Sequence, residues 1–308
     1  LRPAADRAFK FYDYELGEAR DVWPAPPNVS IGLTVSRDGR ELLSRPRAAS
    51  RTPTSCCSNS DRRNEMTKGY RIGLELALTA AAALAALDAS ASVSQKTMHV
   101  AGLTVQYKVV LPDGYDAAKE YPAILVMGGG PQTMDTVDRS LDRNFQAEAE
   151  RRGYIVVAPA APDGLLFFQG GERIFPEFLK AMLREYHIVD DKFHVAGPSN
   201  GGIAAFHVAA ANPDYFKSVT AFPGYLWQPS TDKLLAIAKM CVYMYVGEND
   251  EYRWHDEMKR EAEFLTARGT VASYTVEKDQ PHRLDTLAGA NAGRLFEGFE
   301  ATKNGCSR

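Results

Sequence analysis

The chain has 308 residues, 45% of them hydrophobic and 24% charged, with 36 Lys and Arg against 39 Asp and Glu. That balance belongs to a globular chain of one large or two ordinary domains and excludes disorder along its whole length. A formal net charge of −3 supplies no basic field for nucleic-acid backbones, so a small molecule or polymer chain in a pocket is the expected partner.

Taken in chain order, residues 9–43 alternate in hydrophobicity around Gly and Asp-Gly turns, the pattern of short antiparallel strands. This stretch resembles the closing blade of a TolB-like or WD-type β-propeller, in which a YD-x-x-x-G hairpin precedes a strand ending in S-x-DG-x-x-L. One blade cannot bury its faces without neighbours. After Leu43 the chain becomes an Arg, Ser, Thr and Pro mixture through Arg63, without periodicity. One permitted codon choice for residues 50–62, read in a shifted frame, encodes an ending suited to such a blade. Residues 1–65 are therefore expected to be an upstream remnant rather than a domain.

Met66 reads as a second beginning. It is followed by Lys68 and Arg71, by the Ala- and Leu-rich stretch 72–87, and by Ala89-Ser90-Ala91. A positive n-region, an apolar h-region and small residues at a cleavage site are the layout of a secretory signal, although Glu75 interrupts the apolar run. The run is short for a membrane span, so stable membrane insertion is not expected. The organisation predicted is a remnant at 1–65, a signal at 66–91, and a catalytic domain at 92–308 that is secreted or periplasmic.

Four cysteines fit neither a zinc site nor a dense disulfide scaffold, and no metal or cofactor is proposed. Cys56 and Cys57 belong to the remnant. Cys241 and Cys306 form one bridge if the chain is exported, but well-separated thiols are more often unpaired.

From residue 97 onward, strand and helix periodicities alternate. Strands are predicted at 98–100, 103–111, 121–127, 154–159, 193–196, 218–222, 241–246 and 272–276. Helices are predicted at 137–152, 175–186, 203–211, 233–238, 254–267 and 284–302. Short apolar runs such as YPAILVM suit strands buried on both faces. The order predicts a mainly parallel, doubly wound α/β sheet, in which ligands bind beyond the carboxyl ends of the strands.

Directly after the 193–196 strand stands Gly197-Pro198-Ser199-Asn200-Gly201-Gly202, a G-x-S-x-G at a strand-to-helix junction. Such a turn lifts the serine hydroxyl above the sheet at the positive end of a helix. A serine is a poor nucleophile alone, so a base and an acid are required further along the chain. Asp250 follows one strand and His282 the next, with Glu248 and Glu251 as alternative acids. His99, His187, His194, His207 and His255 read as structural. Ser199 as nucleophile, His282 as base and Asp250 as orienting acid imply acyl transfer through a covalent intermediate. Donors for a developing oxyanion are expected from the amide of Asn200 and from Gly129 or Gly130. No Gly-Lys-Ser/Thr or G-x-G-x-x-G accompanies the glycines, which excludes the usual nucleotide cradles.

Residues 97–302 are similar to the α/β-hydrolase serine esterases. The GPSNGG elbow, the GEND turn and the late His282 resemble secreted feruloyl esterases and polyhydroxybutyrate-depolymerase-like enzymes. The resemblance assigns the same roles to Ser199, Asp250 and His282. It departs at Met127, where many relatives carry the His of an HG motif. No long insertion follows the 218–222 strand, so a large lid is not expected. Phe167, Phe168, Tyr225, Trp227 and Trp254 follow strand ends and are predicted to wall a cleft for a flat acyl group or a polymer. The activity implied is hydrolysis of feruloyl-type aryl or short acyl esters. Alternatives are polyester depolymerisation, prolyl-oligopeptidase-like cleavage, or a non-catalytic binding protein of the same fold; oligomeric state is left open.

Overall fold

The structure is a computed structural model that describes residues 93–306 and, before them, the strands β1 (Ala8–Asp13), β2 (Glu18–Pro24), β3 (Val29–Val35) and β4 (Leu42–Pro46). Two units separate, residues 1–80 and 81–308. In the first, β1 pairs with β2 and β3 with β4, both antiparallel, as two separate two-stranded sheets. The unperiodic stretch expected at 44–63 begins within β4, which takes in Ser44, Arg45 and Pro46; its remainder, with the pair Cys56 and Cys57, and the expected signal segment 66–91 lie outside the described residues.

The second unit is built on one eight-stranded sheet. Its hairpin β5 (Val93–Val100) and β6 (Leu103–Val110) turns at Ala101 and Gly102, both at positive φ, which is the geometry a tight two-residue hairpin requires. The chain continues through β7 (Tyr121–Val126), β8 (Ile155–Pro159), β9 (Ile188–Gly197), β10 (Phe216–Ala221), β11 (Cys241–Gly247) and β12 (Ala272–Glu277). The strand order is β12-β11-β10-β9-β7-β8-β6-β5, antiparallel at β5, β6 and β8 and parallel from β8 to β12. The mainly parallel, doubly wound sheet expected from the sequence is therefore present.

Both faces of the sheet are buried at its centre, whereas the β5–β6 hairpin leaves alternate residues such as Thr97 and Gln106 exposed. On β7, Ala123 and Leu125 join one core and Ile124 and Val126 the other. The first core is covered by α3 (Phe175–Glu185), α4 (Asn200–Ala211), α5 (Thr231–Ile237) and α6 (His255–Thr266), through residues such as Phe178, Phe206, Ile237 and Leu265. The second is covered by α1 (Met134–Ser140), α2 (Gln146–Arg152) and α7 (Gly293–Ala301), with Val137, Phe296 and Phe299. Burying such a side chain contributes about 2 kcal/mol relative to leaving it in water.

Three local expectations are corrected. The single helix over 137–152 is interrupted by a π-helical turn, Leu141–Phe145, which periodicity does not reveal because its apolar residues still reach the core. The single helix over 284–302 is instead two 3₁₀ turns, Asp285–Leu287 and Gly289–Asn291, followed by α7. Gly289 at φ 54° ends any continuous helical path there. Cys241 and Cys306, which the sequence left more often unpaired than bridged, form a disulfide with a Cα separation of 4.7 Å. It ties the end of the described chain to the start of β11.

After β7 the chain first crosses to β8 and then returns past β7 to lay β9 on the other side. The carboxyl ends of β7 and β9 thus flank the switch point, where an open α/β sheet leaves a crevice. Gly128 follows the first of these strands and Ser199 the second.

Candidate active site

Ser199 stands between β9 and α4 with φ 56° and ψ −124°, a conformation of order 1–3 kcal/mol above ordinary backbone. The surroundings hold it there. Its amide donates to the Pro223 carbonyl at 2.8 Å, and the Gly201 amide donates to the Pro198 carbonyl at 2.8 Å. The turn passes so close to β7 that a Cβ on Gly201 would lie 2.2 Å from the Met127 carbonyl oxygen, and one on Gly197 2.5 Å from the same atom. That contact explains the G-x-S-x-G spacing.

His282 bridges the other two predicted residues. The Ser199 hydroxyl donates to its Nε2 at 2.9 Å, and its Nδ1 donates to Asp250 Oδ1 at 2.9 Å. The Asp250 side chain is fully buried, and Oδ1 also accepts the Tyr252 amide at 2.9 Å. The two alternative acids have different work. Glu251 accepts the main-chain amide of His282, a bond that holds its carboxyl below the usual carboxylate range, and Glu248 accepts the amide of Asp279, each at 2.9 Å. Both fasten the histidine loop onto the β11 turn. Gly247 begins that turn because a Cβ there would sit 2.1 Å from the Pro281 carbonyl oxygen. Tyr252 and Trp254 pack edgewise against the imidazole, with ring centroids at 4.5 and 4.8 Å.

The predicted oxyanion donors gather beside the serine. A Cβ on Gly129 would lie 3.1 Å from the Pro198 carbonyl oxygen, and Gly130, at φ 56°, accepts the Asn200 side-chain amide at 2.9 Å. The main-chain amide of Asn200 opens α4, where no carbonyl within the helix can reach it. Sequence reasoning overlooked Gln132, which is wholly buried. Its amide donates to the Gly129 carbonyl at 3.2 Å, and its side-chain oxygen accepts the Phe167 amide at 2.8 Å. A polar residue one position after a G-G-G-P turn was the available signal.

A nucleophile, a base with an oriented tautomer, and amides converging near the nucleophile can carry out acyl transfer. Residues 174–300 match the Esterase family model. The second unit has the α/β-hydrolase fold and resembles the esterases built on it. Among solved structures, this chain superposes on a thermostable esterase with a TM-score of 0.55 at 16% identity, over 70% of this chain and 63% of that one. An S-formylglutathione hydrolase from Agrobacterium tumefaciens gives 0.52 at 16% identity, covering 68% and 94%. A ferulic acid esterase from the anaerobic fungus Anaeromyces mucronatus gives 0.51 at 18% identity, covering 68% and 88%. At these identities the likeness concerns the fold. In sequence the chain is 33% identical over 129 residues to dipeptidyl-peptidase 5 of Porphyromonas gingivalis, over 38% of this chain and 19% of that one. It thus spans about a fifth of that relative's length.

The cleft beside Ser199 has a volume of about 530 Å³ and is lined by Gly129, Gly130, Ser199, His282 and the α1 side, including Thr136 and Arg139. The aromatic wall needs correction. Phe167 is wholly buried against Phe175, and Phe168 packs on Trp227 and His207 beneath α4, so these three predicted residues do not line the cleft. Each follows a strand end in sequence, but its segment folds back onto the core. Trp254 does reach the site through His282, and Tyr225 packs edgewise on Trp254 at 5.2 Å. Of the other histidines, His99 and His187 are exposed, and His187 lies just past α3. His194 is buried against Ser218 at 2.8 Å, and burial pushes it down to about 3, so it stays neutral.

A second cavity of about 460 Å³ lies beside Tyr225, Glu257 and Phe264 and reaches Glu261 of α6. Glu261 is 6% exposed, and both of its oxygens accept the Leu226 amide at 3.0 Å. Burial pushes its pKa up to about 7, the Leu226 bond opposing the rise. Folding therefore takes up a proton between the ordinary glutamate range and about pH 7, and this contribution is present at low pH and lost as pH rises through 7. Glu261→Gln is expected to be more stable than wild type at pH 8, by a few kcal/mol at most, and to lose that advantage at pH 5. Urea unfolding at the two pH values checks this; an equal difference at both would refute it.

Proposed function

We propose that this domain hydrolyses carboxylic esters through an acyl-serine intermediate. The reading is carried by the hydrogen-bonded chain from Ser199 through His282 to Asp250 at the elbow. Ser199 attacks the ester carbonyl as His282 takes its proton, and Asp250 stabilises the imidazolium. His282 returns the proton to the leaving alcohol, then draws one from water, whose oxygen attacks the acyl carbon. Acid and free enzyme result. The amides of Gly129 or Gly130 and of Asn200 receive the oxyanion.

Within that class, feruloyl-type aryl esters and short acyl esters are the leading substrates. The edge of Trp254 and Tyr252 beside His282 supports them, and ferulic acid esterases stand among the proteins that share the fold. Aliphatic polyesters are the next reading. Peptide cleavage is a further reading, favoured by the partial identity with a dipeptidyl-peptidase. A panel of methyl ferulate, a short p-nitrophenyl ester, a polyester emulsion and a prolyl peptide separates these. Turnover of the ferulate and the short ester is the expected result; fast cleavage of the peptide alone would overturn it.

We also propose that residues 66–91 direct export, so that the domain works outside the cytoplasm with 1–65 no part of it. The Cys241–Cys306 bridge supports an oxidising compartment. N-terminal sequencing of the secreted native product is expected to start near Ser92. A functional product that retains Leu1 would contradict it.

A further inference from the structure

The cleft beside Ser199 has a charge opposite to that of its domain. Residues 92–308 carry 23 Lys and Arg against 28 Asp and Glu. Yet Arg139, Arg143 and Arg283 line the cleft against a single carboxylate, Asp142. They come from three segments: Arg139 from the last turn of α1, Arg143 from the π-helical turn that follows it, and Arg283 from the position after His282. A π-helical turn inside a helix is often found at a functional site, and this one carries three residues of the lining.

The arginines are not equivalent. Arg143 is engaged, donating to the Leu284 carbonyl at 3.1 Å and pairing with Asp285, so it braces the loop that carries His282. Arg139 and Arg283 are exposed and form no ion pair among the described residues. Three guanidinium groups set against Asp142 and Asp285 leave one net positive charge at the cleft. That balance matches a monoanion and disfavours a dianion such as a phosphate monoester. A guanidinium presents paired donors in the geometry of a carboxylate.

We infer that the cleft takes esters bearing a carboxylate within a few bonds of the scissile carbonyl, held by Arg139 and Arg283. The inference rests on the ester-hydrolase reading and narrows its substrate class. The carboxylate belongs either to the acyl half or to the alcohol half, and both present the same chemistry to the two arginines.

Two matched pairs of substrates test it. p-Nitrophenyl hydrogen glutarate against p-nitrophenyl butyrate probes the acyl half, and 4-acetoxybenzoate against phenyl acetate probes the alcohol half. In at least one pair the anionic ester is expected to have a kcat/KM about tenfold above its neutral partner. That ratio should fall toward one in the double variant Arg139→Gln, Arg283→Gln, and in wild type as salt is raised. Wild-type ratios at or below one in both pairs would overturn the inference, as would a ratio that survives the double substitution. Fluorophosphonate labelling of Ser199 is followed in parallel. Labelling and neutral-ester turnover without anionic preference sink the inference alone, whereas no labelling and no turnover sink the ester-hydrolase reading with it.

Discussion

Ser199→Ala is expected to lower kcat by about 10⁶-fold and to abolish labelling by a fluorophosphonate. The size of the loss follows from the geometry. In the proposed mechanism Oγ forms the covalent bond, and its hydroxyl is the donor to His282 Nε2 at 2.9 Å. Without it, the base has only water to activate and no acyl-enzyme can form. The substitution removes one oxygen and leaves the main-chain bonds from Ser199 to Pro223 and from Ile203 to Ser199 in place, so the elbow should persist. Circular dichroism and the unfolding midpoint should therefore stay close to wild type while turnover disappears. Mass spectrometry of the labelled wild-type protein should find the adduct on the peptide containing Ser199. An adduct elsewhere, or a variant that retains most of the wild-type rate, would remove Ser199 from the mechanism.

Asp250→Asn is expected to lower kcat by about 10⁴-fold. The carboxylate is wholly buried and accepts the Nδ1 proton, which keeps the lone pair of Nε2 directed at Ser199. A carboxamide in the same place presents a donor as readily as an acceptor, so the imidazole can turn to the tautomer whose Nε2 already carries a proton and cannot act as the base. Tyr252 and Trp254 fix the ring plane from the side and do not correct the tautomer. Glu251→Gln and Glu248→Gln provide the contrast. Each accepts a backbone amide of the histidine loop, and an amide oxygen can still do so. Their kcat values should stay within about tenfold of wild type. Steady-state rates on p-nitrophenyl acetate for the three variants decide the matter: a larger loss for either glutamate than for Asp250 would reassign the acid.

Much of the fold was legible because buried parallel strands are written as short apolar runs. YPAILVM at 121–127 and CVYMYV at 241–246 both appear as strands within a residue of their expected ends. The elbow was legible for a related reason. Close passage of two backbones admits only glycine, and the spacing of Gly197 and Gly201 around Ser199 records that passage past Met127. The acid was less legible. Asp250 is one of three carboxylates within four residues, and only the position of the histidine loop shows which one meets the imidazole and which two meet main chain.

What escaped the sequence depends on where segments fold back. Phe167, Phe168 and Trp227 read like a cleft wall because strand ends face the crevice, but apolar burial draws them into the core under α4. The arginines of the cleft were invisible for the opposite reason. Exposed charges on a helix normally mark its solvated face, and nothing local distinguishes Arg139 or Arg283 from any other surface cation. The π-helical turn 141–145 leaves no periodic signature either.

The amino-acid sequence by itself therefore determined the order of elements and pointed to Ser199 and His282 as the proposed nucleophile and base, since these follow from local periodicity and from glycines required by close contact. Only the tertiary structure decided which carboxylate meets the imidazole, that Cys241 meets Cys306, and which side chains line the cleft. Those three depend on distances between segments far apart in the chain, and such distances are set by the packing of both cores rather than by any local pattern.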